Sequence, residues 1–305
     1  MVIMAFEQVS CNHCGMDSTE PFAKLQDWLC GIEGEFYLVR CANCGLVYQN
    51  PRPDVAEIAR FYPSEYEPYV AANDAASIIQ KRALDFGMDR RCRLIRHWIP
   101  AGRLLDVGCS SGLVLNRMRH YGDWELTGVE LNEAVAQQAR QQFNLDVFAG
   151  QLAEAAFPDA HFDVVTLWDV LEHLHDPRAA LQEIRRILKP GGIVIIRTPQ
   201  LESLDGWLFG NYWIGLDAPR HLYIFPRPVM TRMLNLAGFE IIQQKCWGGY
   251  FGFVYSMDFW LRARGKRLDK RIEHSLVLRA ATLPLFWAID RLGRGTSITI
   301  VARAI

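Results

Sequence analysis

Residues 102–113 read GRLLDVGCSSGL. Leu104, Leu105 and Val107 make a short apolar run of strand length. The chain then turns through Gly108-Cys109-Ser110-Ser111-Gly112 into an amphipathic helix from about Leu113. A strand, a glycine turn and a helix in that order open a nucleotide-binding α/β sheet. Glycine is needed where backbone must approach a ligand closely. The dinucleotide fingerprint G-x-G-x-x-G is absent, since only Gly108 and Gly112 stand in the turn. No lysine follows, so a phosphate-gripping loop is also unsupported. Asp106 precedes the turn, where a carboxylate can meet a positively charged ligand group.

Downstream, Trp124–Val129 reads as a second strand, ended by Glu130. A carboxylate there can take both ribose hydroxyls of a nucleoside. LDVFAGQ makes a third strand ending near Gln151 and Leu152, and Phe162–Trp168 a fourth. DPRAALQEIRRILKPGG is a helix closed by Pro190-Gly191-Gly192, and IVIIRTP is a fifth strand. Strands and helices alternating at these lengths predict a parallel, doubly wound sheet.

Upstream lie two Cys-x-x-Cys-Gly knuckles, CNHCG at 11–15 and CANCG at 41–45. Two thiolates spaced in this way grip one tetrahedral metal from a tight turn. Four leave no open position for catalysis. Cys11, Cys14, Cys41 and Cys44 therefore read as a structural Zn2+ site in a ribbon; a redox dithiol and a catalytic zinc are the rival readings. His13 and Cys30 read as bystanders. The remaining cysteines are scattered, as expected in a reducing cytoplasm.

The run 102–199 resembles the class I S-adenosylmethionine-dependent methyltransferases through LLDVGCSSG, GVELN, FDVVTLWDVLEHLHDP and ILKPGGIVIIRTP in that order. The resemblance implies a Rossmann-like seven-stranded sheet of order 3-2-1-4-5-7-6, with strand 7 antiparallel. It implies S-adenosyl-L-methionine as methyl donor. Asp106, Gly108, Cys109, Ser110 and Gly112 would surround its methionine part, and Glu130 and Leu131 its ribose. Gln151 and Leu152 would flank adenine, and Asp169 would lie near the methyl group. Ser110 stands where the family often has glycine, and Gln151 where it usually has aspartate. RPVMTRMLNLAGFEIIQQKCW reads as a helix and strand six, and GRGTSITIVARAI as the final strand. Ribbon, core and the loop DAPRHLYIFPRP together resemble bacterial zinc-ribbon methyltransferases, including sugar C-methyltransferases.

Methyl transfer to a protonated nucleophile needs a positioned base. His173 and His175 follow strand four, and His221 follows strand five, at strand ends where ligands bind. The resemblance places the acceptor over the second loop and favours His221 as base. Asp217 would orient it or act in its place. His173 reads as structural or as part of the donor pocket. Tyr212, Trp213, Tyr223 and Phe225 read equally as pocket walls or as ordinary core.

Five regions are expected: a ribbon at 1–60, a linker and leading helix at 61–100, and a donor-binding core at 101–249. A helical insertion at 250–295 and the last strand at 296–305 complete them. The insertion reads as two apolar helices, near 250–264 and 273–291, around Arg262, Arg264, Lys266, Arg267, Lys270 and Arg271. A cap, a dimer face and peripheral contact with an anionic membrane all fit it. Arginines of the leading helix read as a solvated face. A formal net charge of −1 supplies no global field for nucleic acid. The start, MVIMAFEQVS, lacks the features of a leader peptide, and no apolar stretch reaches the ~20 residues that span a bilayer. The expectation is a cytoplasmic methyltransferase acting on oxygen or carbon of a small molecule, such as a sugar nucleotide or cell-envelope intermediate. An RNA methyltransferase and a non-catalytic donor-binding module are the alternatives.

Overall fold

The computed structural model describes residues 6–63, 78–273 and 275–305. Five short strands come first: β1 Phe6–Glu7, β2 Thr19–Leu25, β3 Phe36–Cys41, β4 Val47–Gln49 and β5 Arg52–Pro53. Helix α1, Ile78–Trp98, leads into the core. The part of that helix expected over 71–77 lies outside the described residues, as do the side chains of Ile78, Ile79 and Leu84.

The core alternates as its apolar runs require. Strands β6 Gly102–Val107, β7 Trp124–Glu130, β8 Asp146–Ala149, β9 Phe162–Trp168 and β10 Leu188–Pro199 are separated by α2 Leu113–Met118, α3 Glu133–Phe143 and α4 Pro177–Ile187. Asn132 caps α3 by accepting from the backbone of Ala134 and Val135. Asp176 caps α4, with Pro177 in its first turn, where a missing N–H costs nothing. After β10 come α5 Leu204–Phe209, β11 Tyr223–Ile224, α6 Arg227–Leu236 and β12 Phe239–Trp247. The insertion forms α7 Tyr250–Arg262, one turn at Lys270–Glu273, and α8 Leu276–Arg291 before β13, Ser297–Ala304.

Seven strands form one sheet in the order β12-β13-β10-β9-β6-β7-β8. Strand β13 runs antiparallel to both its neighbours, and the β6, β7, β8, β9 and β10 pairings are parallel. Read from β8, this is the expected 3-2-1-4-5-7-6. Side chains alternate between the two faces, as strand geometry dictates. Leu105, Val165, Val194 and Ile196 join the core beneath α4, α6 and the ribbon. Leu104, Val164, Ile193 and Ile195 join the core beneath α1, α2 and α3.

The ribbon is built into this body. Strand β11 comes from the loop after β10, yet it pairs with β4, Tyr223 opposite Tyr48 and Ile224 opposite Val47. One sheet of order β11-β4-β3-β2 therefore contains both ribbon and loop, and one apolar cluster runs beneath them.

Candidate active site

The order of the central sheet reverses between β6 and β9. The loops after their carboxyl ends open a crevice there. Gly108 and Gly112 shape its floor at φ +69° and +77°, a region that side chains rarely adopt. A Cβ on Gly108 would lie 2.5 Å from Val170, and one on Gly112 2.5 Å from Leu145. Between them Ser110 is also left-handed, at φ 49°, and its N–H donates to Glu130 Oε2 at 2.9 Å. Glu130 Oε1 accepts from the N–H of Asn132 at 2.9 Å, so the carboxylate is fixed at the strand end with lone pairs to spare. Burial raises its pKa, against those backbone bonds.

Asp106 is fully buried and accepts from the Thr166 hydroxyl at 2.5 Å. Burial pushes its carboxyl up to about 7, while the hydroxyl and the Arg91 charge pull the other way. Cys109 lies buried beside Asp106 and Glu130, which raise its pKa further after burial, so it is a neutral packing group. Gln151 lies two residues beyond β8. It takes part in a capping box with Glu154, closing a short turn that buries Leu152. Leu131 is exposed at the crevice rim. Asp169 sits at φ 57° after β9 and faces two cations, Arg197 at 3.2 Å and Arg91 at 3.9 Å.

Arg91 corrects the reading of the leading helix's arginines as a solvated face. Its guanidinium stacks over Trp168, 4.9 Å from the ring centroid, and reaches Asp169 just after β9. Packing of α1 on the sheet turns it inward, which the sequence pattern did not show.

The second half of the site lies where the turn after β9 meets the loop before β11. The His173 and His221 rings stand edge to face with centroids 4.6 Å apart. Nδ1 of His221 lies 2.8 Å from the carbonyl of Gly215, and Nδ1 of His173 lies 2.9 Å from that of Arg220. A carbonyl only accepts, so His221 Nδ1 carries the proton and its neutral ring keeps an unprotonated Nε2, while His173 Nδ1 is shared between the Arg220 carbonyl and the Tyr62 hydroxyl, 2.9 Å away. Burial lowers both pKa values, that of His173 to about 3. Glu172 is buried beside them, with neither carboxyl oxygen hydrogen-bonded among the described residues. Burial, reinforced by the charge of Asp169, raises its pKa well above the carboxylate range. A buried polar group without a hydrogen-bond partner calls for an explanation, of which a catalytic role is one. Asp217 does not bond His221; both its oxygens accept from Arg220, at 2.6 and 3.0 Å. Trp213, Tyr223 and Phe225 are buried core side chains, while Tyr212 is partly exposed and stacks edge-on with Trp28 of the ribbon.

Sequence reasoning missed Gln49. Its amide is fully buried and unpartnered. Its backbone N–H donates to the carbonyl of Leu222, whose own N–H donates to the backbone carbonyl of Glu172. A buried glutamine in an otherwise apolar strand, VYQ, was the available signal.

Two side-chain clusters can hold a metal ion. Cys11, Cys14, Cys41 and Cys44 bring their sulfurs within 4.8 Å of one another, with Cys11–Cys44 at 3.4 Å and Cys14–Cys41 at 3.5 Å. A tetrahedron of ~2.3 Å bonds separates its sulfurs by about 3.8 Å, which fits this set. Gly15 and Gly45 close equivalent turns, donating to the carbonyls of Cys11 and Cys41. Glu172, His173 and His221 form the second cluster.

Fold and crevice together define the class I S-adenosylmethionine-dependent methyltransferase architecture. The model of a family described as a methyltransferase domain matches residues 73–244, more than half the chain, and the chain belongs to that family. It is 32% identical to the ubiquinone biosynthesis O-methyltransferase of Azoarcus sp. over 209 residues, 63% of this chain and 86% of that protein. It is 31% identical to the malonyl-[acyl-carrier protein] O-methyltransferase of Erwinia pyrifoliae over 163 residues, 50% of this chain and 62% of that one. The ubiquinone biosynthesis O-methyltransferase of Alkalilimnicola ehrlichii is 37% identical over 102 residues, 32% of this chain. The chain spans about half the length of the last two relatives, 62% and 41%. Among solved structures, the [4+2]-cyclase SpnF superposes with a TM-score of 0.52 at 20% identity, covering 83% of this chain and 98% of that one. A SAM-dependent methyltransferase of Archaeoglobus fulgidus gives 0.50 at 21% identity, over 72% and 93%. At these identities the superpositions show the fold alone.

Proposed function

We propose that this chain transfers a methyl group from S-adenosylmethionine to a hydroxyl of a small acceptor, with His221 as base. Sugar nucleotides and cell-envelope intermediates are the acceptor class favoured. The observation that carries the reading is a buried, neutral imidazole whose Nδ1 is held by the Gly215 carbonyl, which leaves Nε2 unprotonated, beside a Glu172 carboxyl with no hydrogen-bond partner among the described residues. A group of this kind accepts a hydroxyl proton at neutral pH. The relatives' names, both O-methyltransferases, support oxygen over carbon.

The residues fit the donor. Gly108 and Gly112 hold the turn in left-handed backbone packed tightly on Val170 and Leu145, Glu130 offers lone pairs to ribose hydroxyls, and Arg91 offers a cation to a carboxylate. The donor supplies a methyl group on a positively charged sulfur, which leaves as a neutral thioether. As the new O–CH3 bond forms and the S–CH3 bond breaks, the acceptor proton passes to His221 Nε2. Asp106 gains from an adjacent cation, because a positive charge favours its ionised form. Donor binding should therefore release a proton, and affinity should rise with pH through about 7. The cysteine cluster is read as a structural zinc site.

Donor binding and turnover separate the readings. Calorimetry should show donor binding weakened about ten- to a hundred-fold by Glu130→Ala, the loss of charge-assisted hydrogen bonds. Incubated with a cell extract, the chain should form S-adenosylhomocysteine, and ribonuclease treatment should not change the yield. Loss of the product with ribonuclease would move the acceptor to RNA; donor binding without product in any extract would leave a binding module. Elemental analysis should find one zinc ion per chain, lost in Cys11→Ser/Cys14→Ser. A metal-free chain with an intact ribbon would end the zinc reading.

A further inference from the structure

We infer that α8 and the basic loop before it dock this protein on an anionic membrane surface. Helix α8 reads LVLRAATLPLFWAIDR, and none of its residues is fully buried. Val277 is 78% exposed, Leu283 61%, Leu285 57% and Trp287 60%. Only one edge of the helix packs inward, where Phe286 stacks on Phe253 of α7. Phe253 in turn stacks on Phe209 of α5, whose Trp207 is 78% exposed. Three neighbouring helices thus leave large apolar side chains in solvent, more than the scattered exposure of an ordinary surface.

The charge around this face selects the occupant. Residues 262–294 hold nine arginines and lysines against three aspartates and glutamates, in a chain whose formal net charge is −1. Arg264, Lys266 and Arg267 are exposed in the loop after α7, and Arg271 in the helical turn that leads to α8. The arginines lie on aromatic rings: Arg264 is 3.9 Å from the Trp260 centroid and Arg291 4.5 Å from that of Trp287. Apolar bodies with cationic heads beside them suit the boundary between acyl chains and anionic headgroups. A second copy is a poorer occupant, because a two-fold axis would bring the same basic loop against itself. The helix lies in the membrane plane. Its 16 residues reach about 24 Å, short of the ~30 Å hydrocarbon core. No helix among the described residues is long and apolar enough to cross.

Docking here bears on the site. Ser256 of α7 accepts from the N–H of Ile214 at 3.0 Å, in the loop that carries His221. The membrane face and the acceptor loop are therefore joined by one helix. The inference does not depend on which acceptor is methylated.

Flotation with vesicles tests it on the full chain. Vesicles of phosphatidylcholine with phosphatidylglycerol should carry the protein, and phosphatidylcholine alone should not. Binding should weaken with salt, and roughly ten-fold or more in Lys266→Glu/Arg267→Glu, since each basic residue near the surface counts. Leu283→Ser/Trp287→Ser should weaken it comparably. Both variants should keep wild-type donor affinity, showing that they are folded. Three results would each overturn the inference: no flotation with anionic vesicles, unchanged flotation of both folded variants, or a dimer that Leu283→Ser/Trp287→Ser converts to monomer.

Discussion

Alanine at His221 should slow methyl transfer by about a hundred- to ten-thousand-fold, the usual worth of a positioned base. Donor affinity should hardly change, because Glu130, Ser110 and the glycine turn lie on other loops. The tautomer makes the prediction specific. Nδ1 is committed to the Gly215 carbonyl at 2.8 Å, so only Nε2 can take the acceptor proton. His221→Asn can keep the Gly215 bond but offers no base, so it should be nearly as slow as alanine. The pH profile adds a second reading. Burial lowers the His221 pKa from 6.5, so the base stays unprotonated as pH falls through that value. The rate should therefore run flat across pH 6.5, with its acid limb lower. Stability should behave differently. Below pH 6.5 the unfolded chain binds protons that buried His173 and His221 refuse, so stability falls as pH falls, for His173 down to about 3. A variant with full turnover, or a rate that halves at pH 6.5, would remove His221 as the base.

The fold was legible because its signals are local. Leu104-Leu105, Val164-Val165 and the run Ile193–Ile196 place alternate side chains on the two faces of a sheet covered on both sides. Gly108 and Gly112 are required by backbone conformation, which neighbours in sequence determine. The two knuckles were legible for the same reason, as each closes its turn within five residues. Strand β8 stops at Ala149, short of the Gln151 that the apolar run LDVFAGQ suggests, because Gln151 caps the following turn. The rest of the site depends on contacts that no local pattern encodes. Arg91 reaches Asp169 although the helix's arginines read as a solvated face, and Gln49 lies one backbone link from Leu222. Pairing of β11 with β4 joins a ribbon strand to a loop 175 residues further on. Such meetings follow from how the ribbon docks, and the sequence carries only their ends.

Arg220 shows what that docking costs to break. Its side chain is wholly buried and holds two carboxylates at once: Asp27 of the ribbon at 2.6 and 3.0 Å, and Asp217 of the acceptor loop at 2.6 and 3.0 Å. A fifth bond goes to the carbonyl of Phe61 at 3.1 Å. Methionine fills a similar volume but leaves two carboxylates buried near each other without a counter-charge. Removing one partner of such a set destabilises by ~3–5 kcal/mol, so Arg220→Met should melt roughly 10 °C below wild type. Lysine offers one point charge in place of the planar fork and should recover little. Asp27→Asn/Arg220→Met/Asp217→Asn removes all three charges and should recover most of the loss, which a mere packing defect would not. The sign of the acid response follows from Asp217. Burial alone would raise its pKa, and Arg220 outweighs this and holds it below 3.8, so the gain is present above 3.8 and lost as pH falls through the folded value. The same change should also reach the chemistry. The N–H groups of Arg220 and His221 both donate to the Asp217 carbonyl, so freeing this loop frees the base. Arg220→Met, assayed well below its melting temperature, should lose turnover while binding donor normally. Melting within about 2 °C of wild type would show that the buried ion pairs do not hold ribbon to core.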